Sequence, residues 1–448
     1  MNGAKRGLAS ANHEVIPMTS PRIVLATIGT LGDLHPFIAI GLALRERGVE
    51  AVLAVPEDHL PKCRAAGLEA HAIMPRFEEV GRAIGLPDDE IVRRVVSDND
   101  FLLRRVILPS TGDGVARLVE LARGADAVVG SAVAPAAGIA AERLRLPFVH
   151  VLLQPFLWFN PHDPPRGPSF RLLKGAPVGR AARAWNAVLL AAIRAELRRR
   201  FGGELNRVRR ENGLPSSRAA PMVDAGPWVA RELGVYSPLL GGAPARATVT
   251  GYPWFDRDED GTAALDAELA AFLDAGRPPL IVSLGSFIPY SDTDLYRRAA
   301  DLAGRLGLRA VLLTGESQAE PSRDVLVRPY APHSLLFPRA AAVVHHGGIG
   351  TTGQALRSGR PQLVTPFMGD QFDNAARVER LGVGLQVAPK RFAARAPGLV
   401  RRLLDDAGVA SRAAAVGAQV SAEDGAGAAA EAILRVAADQ SRASAFSR

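Results

Sequence analysis

One stretch in the C-terminal half constrains this chain more than any other: Ala342-Val343-Val344-His345-His346-Gly347-Gly348-Ile349-Gly350-Thr351-Thr352-Gly353-Gln354-Ala355-Leu356. A short valine-rich run stops at two histidines, glycines follow, and the sequence then reads as a helix. A strand that ends in glycine and opens a helix belongs to a doubly wound α/β architecture. The junction also suits an anion. The first amides of a helix lack partners inside it, and the helix dipole adds positive potential there. Adjacent strand side chains face opposite ways, so only one of His345 and His346 can serve such a site. Beyond it, the apolar run Gln362 to Thr365 leads into the polar loop Phe367-Met368-Gly369-Asp370-Gln371-Phe372-Asp373-Asn374. The first segment is suited to a diphosphate and the second to a ring of hydroxyls.

The same pattern opens the N-terminal half. Arg22 to Thr27 reads as a buried strand, followed by Gly29-Thr30-Leu31-Gly32-Asp33-Leu34-His35-Pro36 and an apolar helix starting at Pro36. Val49 to Val55 reads as the next strand. The spacing G-x-G-x-x-G of a dinucleotide site is absent. At 448 residues the chain exceeds one ordinary core, which predicts two domains. We assign residues 1–20 to a disordered extension and 21–240 to an N-terminal Rossmann-like domain. Residues 241–258 form a glycine- and proline-containing linker, 259–428 a C-terminal domain, and 429–448 a helix and tail, with disorder expected from Gln440. Ligands are expected in a cleft between the domains.

Composition narrows the function. A hydrophobic content of 48% with 22% charged residues is that of a globular protein. Cys63 is the single cysteine, which excludes a disulfide framework and a cysteine-based zinc site and agrees with a cytoplasmic location. The net charge of +8 is carried almost wholly by arginine, yet no nucleic-acid motif accompanies it. Residues from Pro177 to Asn212 read as a long arginine-rich helix with a stripe of Trp185, Val188, Leu189, Ile193 and Leu197. One solvated face is the simpler reading, and a peripheral contact with the inner membrane surface is the sharper one. The cluster Asp256 to Asp260 reads as a solvated turn.

From Val343 to Ala376 the sequence resembles the C-terminal signature of the UDP-glycosyltransferase-like superfamily, glycosyltransferase family 1 of GT-B fold. Gly29 to Phe37 resembles that family's first loop. Thr250-Gly251-Tyr252-Pro253, Ala271-Phe272-Leu273-Asp274 and Gly347-Gly348-Ile349-Gly350 are similar to bacterial natural-product and rhamnolipid-type members. The resemblance implies two Rossmann-like domains facing across a cleft. It implies donor-binding roles for His346, Gly348, Gly350 and Thr351 at the diphosphate, Ser286 nearby, and Gln354 at the ribose. Asp370 and Gln371 would hold the sugar, with Tyr330 stacked on the base and Ala331 bonding to it. Asp33 matches the catalytic base. The family's partner carboxylate falls near Ser131, where this chain has none, so His35 stands as a rival base. Asp33 also suits a helix cap.

The expected reaction is inverting, metal-independent transfer of a sugar from a UDP- or dTDP-sugar to a hydroxyl of a lipophilic small molecule or lipid, with no cofactor. Phe156, Trp158 and Phe159 are candidates for the acceptor side. A sugar-nucleotide epimerase and a non-catalytic nucleotide-sugar binding subunit are the alternatives.

Overall fold

A computed structural model describes residues 20–98, 100–175, 179–256, 264–285, 294–315 and 319–446. The expected extension at 1–20 lies, up to residue 19, outside the described residues, as does Ser286. Two parallel sheets organise the chain. β1 (Arg22–Ala26), β2 (Glu50–Pro56), β3 (Glu69–Met74), β4 (Ala127–Ser131), β5 (Phe148–Leu152), β6 (Val229–Gly234) and β7 (Ala247–Val249) pair in the order β3-β2-β1-β4-β5-β6-β7. β8 (Leu280–Ser283), β9 (Ala310–Leu313), β10 (Val325–Arg328), β11 (Ala342–His345), β12 (Gln362–Val364) and β13 (Gly384–Gln386) pair as β10-β9-β8-β11-β12-β13. Each central strand is buried on both faces, which explains runs such as Ile23 to Ala26 and Ala342 to Val344 that are apolar without alternation.

The strand order reverses between β1 and β4 in the first sheet and between β8 and β11 in the second. A crevice opens at such a switch point beyond the carboxyl ends of the strands. The helix start after β1 carries Asp33 and the loop after β11 carries His346, so the two segments singled out from sequence sit at the two switch points.

Several boundaries differ from the sequence expectation. The first helix spans Leu31–Glu46 and so starts five residues before Pro36. Thr30 caps it and Asp33 is its third residue, a capping box in which each side chain bonds the other's backbone. The stretch 241–258 is not all linker, because β7 lies within it and pairs with β6 at the sheet edge. Asp256 is not a solvated turn residue: its carboxylate accepts from the Tyr330 hydroxyl at 2.8 Å and the Ser334 amide at 2.6 Å. The last helix, Gly425–Phe446, runs through Gln440, where disorder was expected. Its Ala429, Ala430, Ile433, Val436 and Ala437 pack into one core with Ile23, Leu25, Leu34, Phe37 and Leu53. The chain thus returns from the second half to complete the first.

The long helix is Arg180–Glu211. Its C-terminal part is fixed to the first half: Arg209 holds Glu142 through two bonds of 2.8 and 2.9 Å, and Leu190, Phe201 and Val208 are buried. Trp185 and Val188 stay exposed. Among the described residues no helix is long and apolar enough to cross a membrane.

Candidate active site

The helix Ile349–Arg357 is separated from β11 by three residues, with Gly348 at its cap position and no side chain capping it among the described residues. Its first amides are therefore available to an anion. Gly347 has φ +92°, and a Cβ there would meet Val364 Cγ1 at 2.9 Å and the Gln371 carbonyl at 3.0 Å, so only glycine fits. The His346 ring lies between two more glycines. A Cβ on Gly348 would fall 2.3 Å from its Nε2, and one on Gly285 2.7 Å from its Cε1. Nδ1 of His346 is buried without a hydrogen-bond partner among the described residues. Burial lowers this histidine to about 4, so it is neutral at working pH.

His345 faces the other way and is packed. Its Nδ1 accepts from the Gly347 amide at 3.2 Å, which makes Nε2 the protonated nitrogen and the donor to Gln362 Oε1 at 3.0 Å. Gln354 and Thr352 are buried on the helix, and Gln354 Oε1 and Thr352 Oγ1 have no partner among the described residues.

Asp370 and Gln371 open a second helix, Gln371–Arg380, with Asp370 at its cap position. The sequence reading left both in the loop. Gln371 Oε1 accepts from the Phe367 and Met368 amides at 2.8 and 3.2 Å, so its NH2 is the part left to donate. Asn374, which sequence reasoning gave no role, joins the two loops. Its Nδ2 donates to the Gly347 carbonyl and to Asp370 Oδ2, both at 2.8 Å.

The two halves meet here. A Cβ on Gly350 would touch Gly32 Cα at 3.8 Å, so the first turns of the two switch-point helices abut. Asp33 Oδ2 accepts from the Thr30 amide at 2.8 Å and from its hydroxyl at 3.2 Å. Burial outweighs these bonds and pushes the Asp33 carboxyl up to about 6. Asp370 is raised to about 7, first by burial and further by the charges of Asp33 and Asp373. Two carboxyls from opposite halves thus sense each other's charge.

His35 points elsewhere. Its ring stands edge-on to Phe255 at 5.4 Å and its Nε2 is buried without a partner among the described residues. Burial and the Lys62 charge lower it to about 3. Ser131 is buried and accepts from the Thr27 hydroxyl at 3.0 Å, so no carboxylate backs the first loop from β4. Tyr330 is partly exposed beside buried Ala331, on the loop after β10. His333, missed from sequence, follows them. Its Nε2 lies 3.2 Å from Ser283 Oγ and its ring stacks on Phe337 at 4.3 Å.

The proposed acceptor aromatics need correction. Trp158 is buried, with its indole N–H donating to the Tyr236 hydroxyl at 2.6 Å. Phe159 is buried among Leu173, Leu190 and Val223, with the Arg194 guanidinium over its ring at 5.3 Å. Both are core residues, because the turn after β5 folds them inward. Only Phe156 keeps an open face, at the edge of a cluster with Phe170.

A buried ion-pair system closes the same interface. Arg377, 2% exposed, donates to Asp373 at 2.6 Å and to Asp163 at 2.5 Å. The Arg166 amide donates to Asp373 at 2.8 Å, and Arg380 to Asp163 at 2.7 Å. Asp163 and Arg166 lie on the loop after β5, the others on the helix that follows Asp370.

Comparison with known proteins identifies the family. Residues 316–434 match the family described as "Erythromycin biosynthesis protein CIII-like, C-terminal domain". The O-mycaminosyltylonolide 6-deoxyallosyltransferase of Streptomyces fradiae is 32% identical over 426 residues, covering 90% of this chain and 94% of its own. The vancomycin aglycone glucosyltransferase of Amycolatopsis orientalis is 31% identical over 378 residues, covering 81% and 85%. Among solved structures, glycosyltransferase VinC in complex with dTDP superposes with a TM-score of 0.67 at 20% identity over 93% of this chain and all of its own, a likeness of GT-B fold. The chain belongs to the UDP-glycosyltransferase superfamily and is a glycosyltransferase.

Proposed function

We propose that this enzyme moves a sugar from a dTDP- or UDP-sugar to a hydroxyl of a lipophilic natural-product or lipid acceptor, with inversion and without a metal ion. The observation that carries the reading is the uncapped helix start at Gly348, with His346 beside it, facing Asp33 across the cleft. Asp33 takes the proton of the acceptor hydroxyl. The hydroxyl oxygen attacks the anomeric carbon as the bond to the diphosphate breaks, and this single displacement inverts the centre. The helix amides at Gly350 and Thr351 and the His346 ring receive the leaving charge, as a metal ion otherwise would. Asp370 and the Gln371 amide hold sugar hydroxyls, Gln354 a ribose hydroxyl, and Tyr330 with Ala331 the base. Phe156 remains the acceptor-side aromatic. His35 is set aside as base because a group lowered to about 3 and turned to Phe255 is poorly matched to the proton transfer.

The relatives named for O-mycaminosyltylonolide and for vancomycin aglycone support a natural-product acceptor. Exposed Trp185 and Val188, near Arg180, support a peripheral membrane contact for delivering it. The test is calorimetric titration with dTDP and UDP in the presence of EDTA. Binding of one nucleotide, lost in His346→Ala, is expected. Absence of binding to the folded wild type overturns the reading, and turnover of donor sugar without acceptor favours the epimerase.

A further inference from the structure

The chain crosses between its halves twice, near residues 250–254 and 423–425, and the two crossings touch. A Cβ on Gly425 would lie 2.3 Å from the Tyr252 carbonyl carbon and 2.4 Å from the Gly251 oxygen. Glu423 accepts from the Tyr252 amide at 3.2 Å and from the Ser237 hydroxyl, which belongs to the first half. The first crossing is also laid along the helix Ile349–Arg357. The Tyr252 hydroxyl donates to the carbonyl of Ile349, its first residue, at 3.3 Å. The Tyr252 ring fills the place of a side chain at Gly353, where a Cβ would be 2.5 Å from the ring. The Trp254 ring lies tilted against Tyr252 at 4.9 Å and carries the Arg357 guanidinium over its own face at 4.7 Å, at the helix's far end.

We propose that Tyr252 is a positioning residue that ties the orientation of the phosphate-binding helix to the interdomain pivot formed by the paired crossings. Rotation of one half about this pivot moves the linker, and the linker carries the helix start with it. Donor binding and approach of the two halves are therefore one event. Tyr252 is buried, with its hydroxyl committed to the Ile349 carbonyl. It acts through the backbone of Ile349 and through contact with Gly353. The inference rests on the donor-site reading above.

Two variants test it. Tyr252→Phe removes one hydroxyl and should raise donor KM and nucleotide Kd about three- to tenfold. Acceptor KM should stay constant. Gly353→Ala drives a methyl into the ring and should do the same more strongly. In a Tyr252→Ala background the added methyl should have little further effect, because the space is then open. Small-angle scattering of the wild type should show compaction on nucleotide addition, reduced in Tyr252→Phe. Unchanged donor parameters in Tyr252→Phe, additive effects of the two alanine substitutions, or a loss of melting temperature with equal changes in both KM values would each overturn the coupling. Failure of the wild type to bind any nucleotide would instead overturn the donor site itself.

Discussion

Asp33 holds the start of its own helix while keeping a carboxyl oxygen in the cleft. The Thr30 bonds fix its rotamer, and burial brings it to about 6, close to the pH at which it must take a proton. Asp33→Asn should keep nucleotide affinity but lower kcat by about 10²- to 10⁴-fold, as steady-state kinetics beside calorimetry will read. In the wild type, transfer should rise with pH through about 6, because the base works unprotonated. The same shift has a stability sign. An unfolded aspartate titrates near ~4. Folded Asp33 and Asp370, at about 6 and about 7, retain protons that the unfolded chain has lost. Their contribution to stability is present below ~4 and disappears as pH climbs through 6 and 7. Melting temperatures of the unliganded protein should reflect this, and Asp370→Asn should flatten the fall. Asp33 and its rival His35 were both legible as candidates from their position after the first strand, but what separates them was not. That depended on Lys62 and Phe255, which approach only in the folded chain.

At the scale of elements, β11 and its helix were readable because their signals are local: a valine run, glycines, then helix formers. The physical reason for Gly348 was not, since it lies in the ring of His346. Gly348→Ala should push that ring aside and weaken nucleotide binding about tenfold or more, with the helix content of the circular dichroism spectrum unchanged. β7 escaped notice because its three residues are too few to carry a periodicity. Trp158 and Phe159 were misplaced for a different reason. Aromatic residues after a strand mark a turn, but the side they face is decided by Tyr236 and Arg194, far along the chain. His333 had no local signal at all.

For the whole molecule, the pair Asp163 and Arg377 joins positions 214 residues apart and was invisible from sequence. Removing the cation leaves buried Asp373 without its ion-pair partner, while Asp163 keeps Arg380. Arg377→Leu should cost about 3 to 5 kcal/mol in chemical denaturation and separate the two halves in scattering. The final helix has a different kind of consequence. Its Ile433 and neighbouring alanines fill the core around the first strand and the first helix. During vectorial synthesis the opening segments emerge from the ribosome long before residues 425–437 exist. The N-terminal half must therefore wait with an apolar groove uncovered until nearly all of the rest of the chain has been made. That interval is when a holding chaperone has something to grip, and when shortening the message at its far end would harm the part of the protein made first.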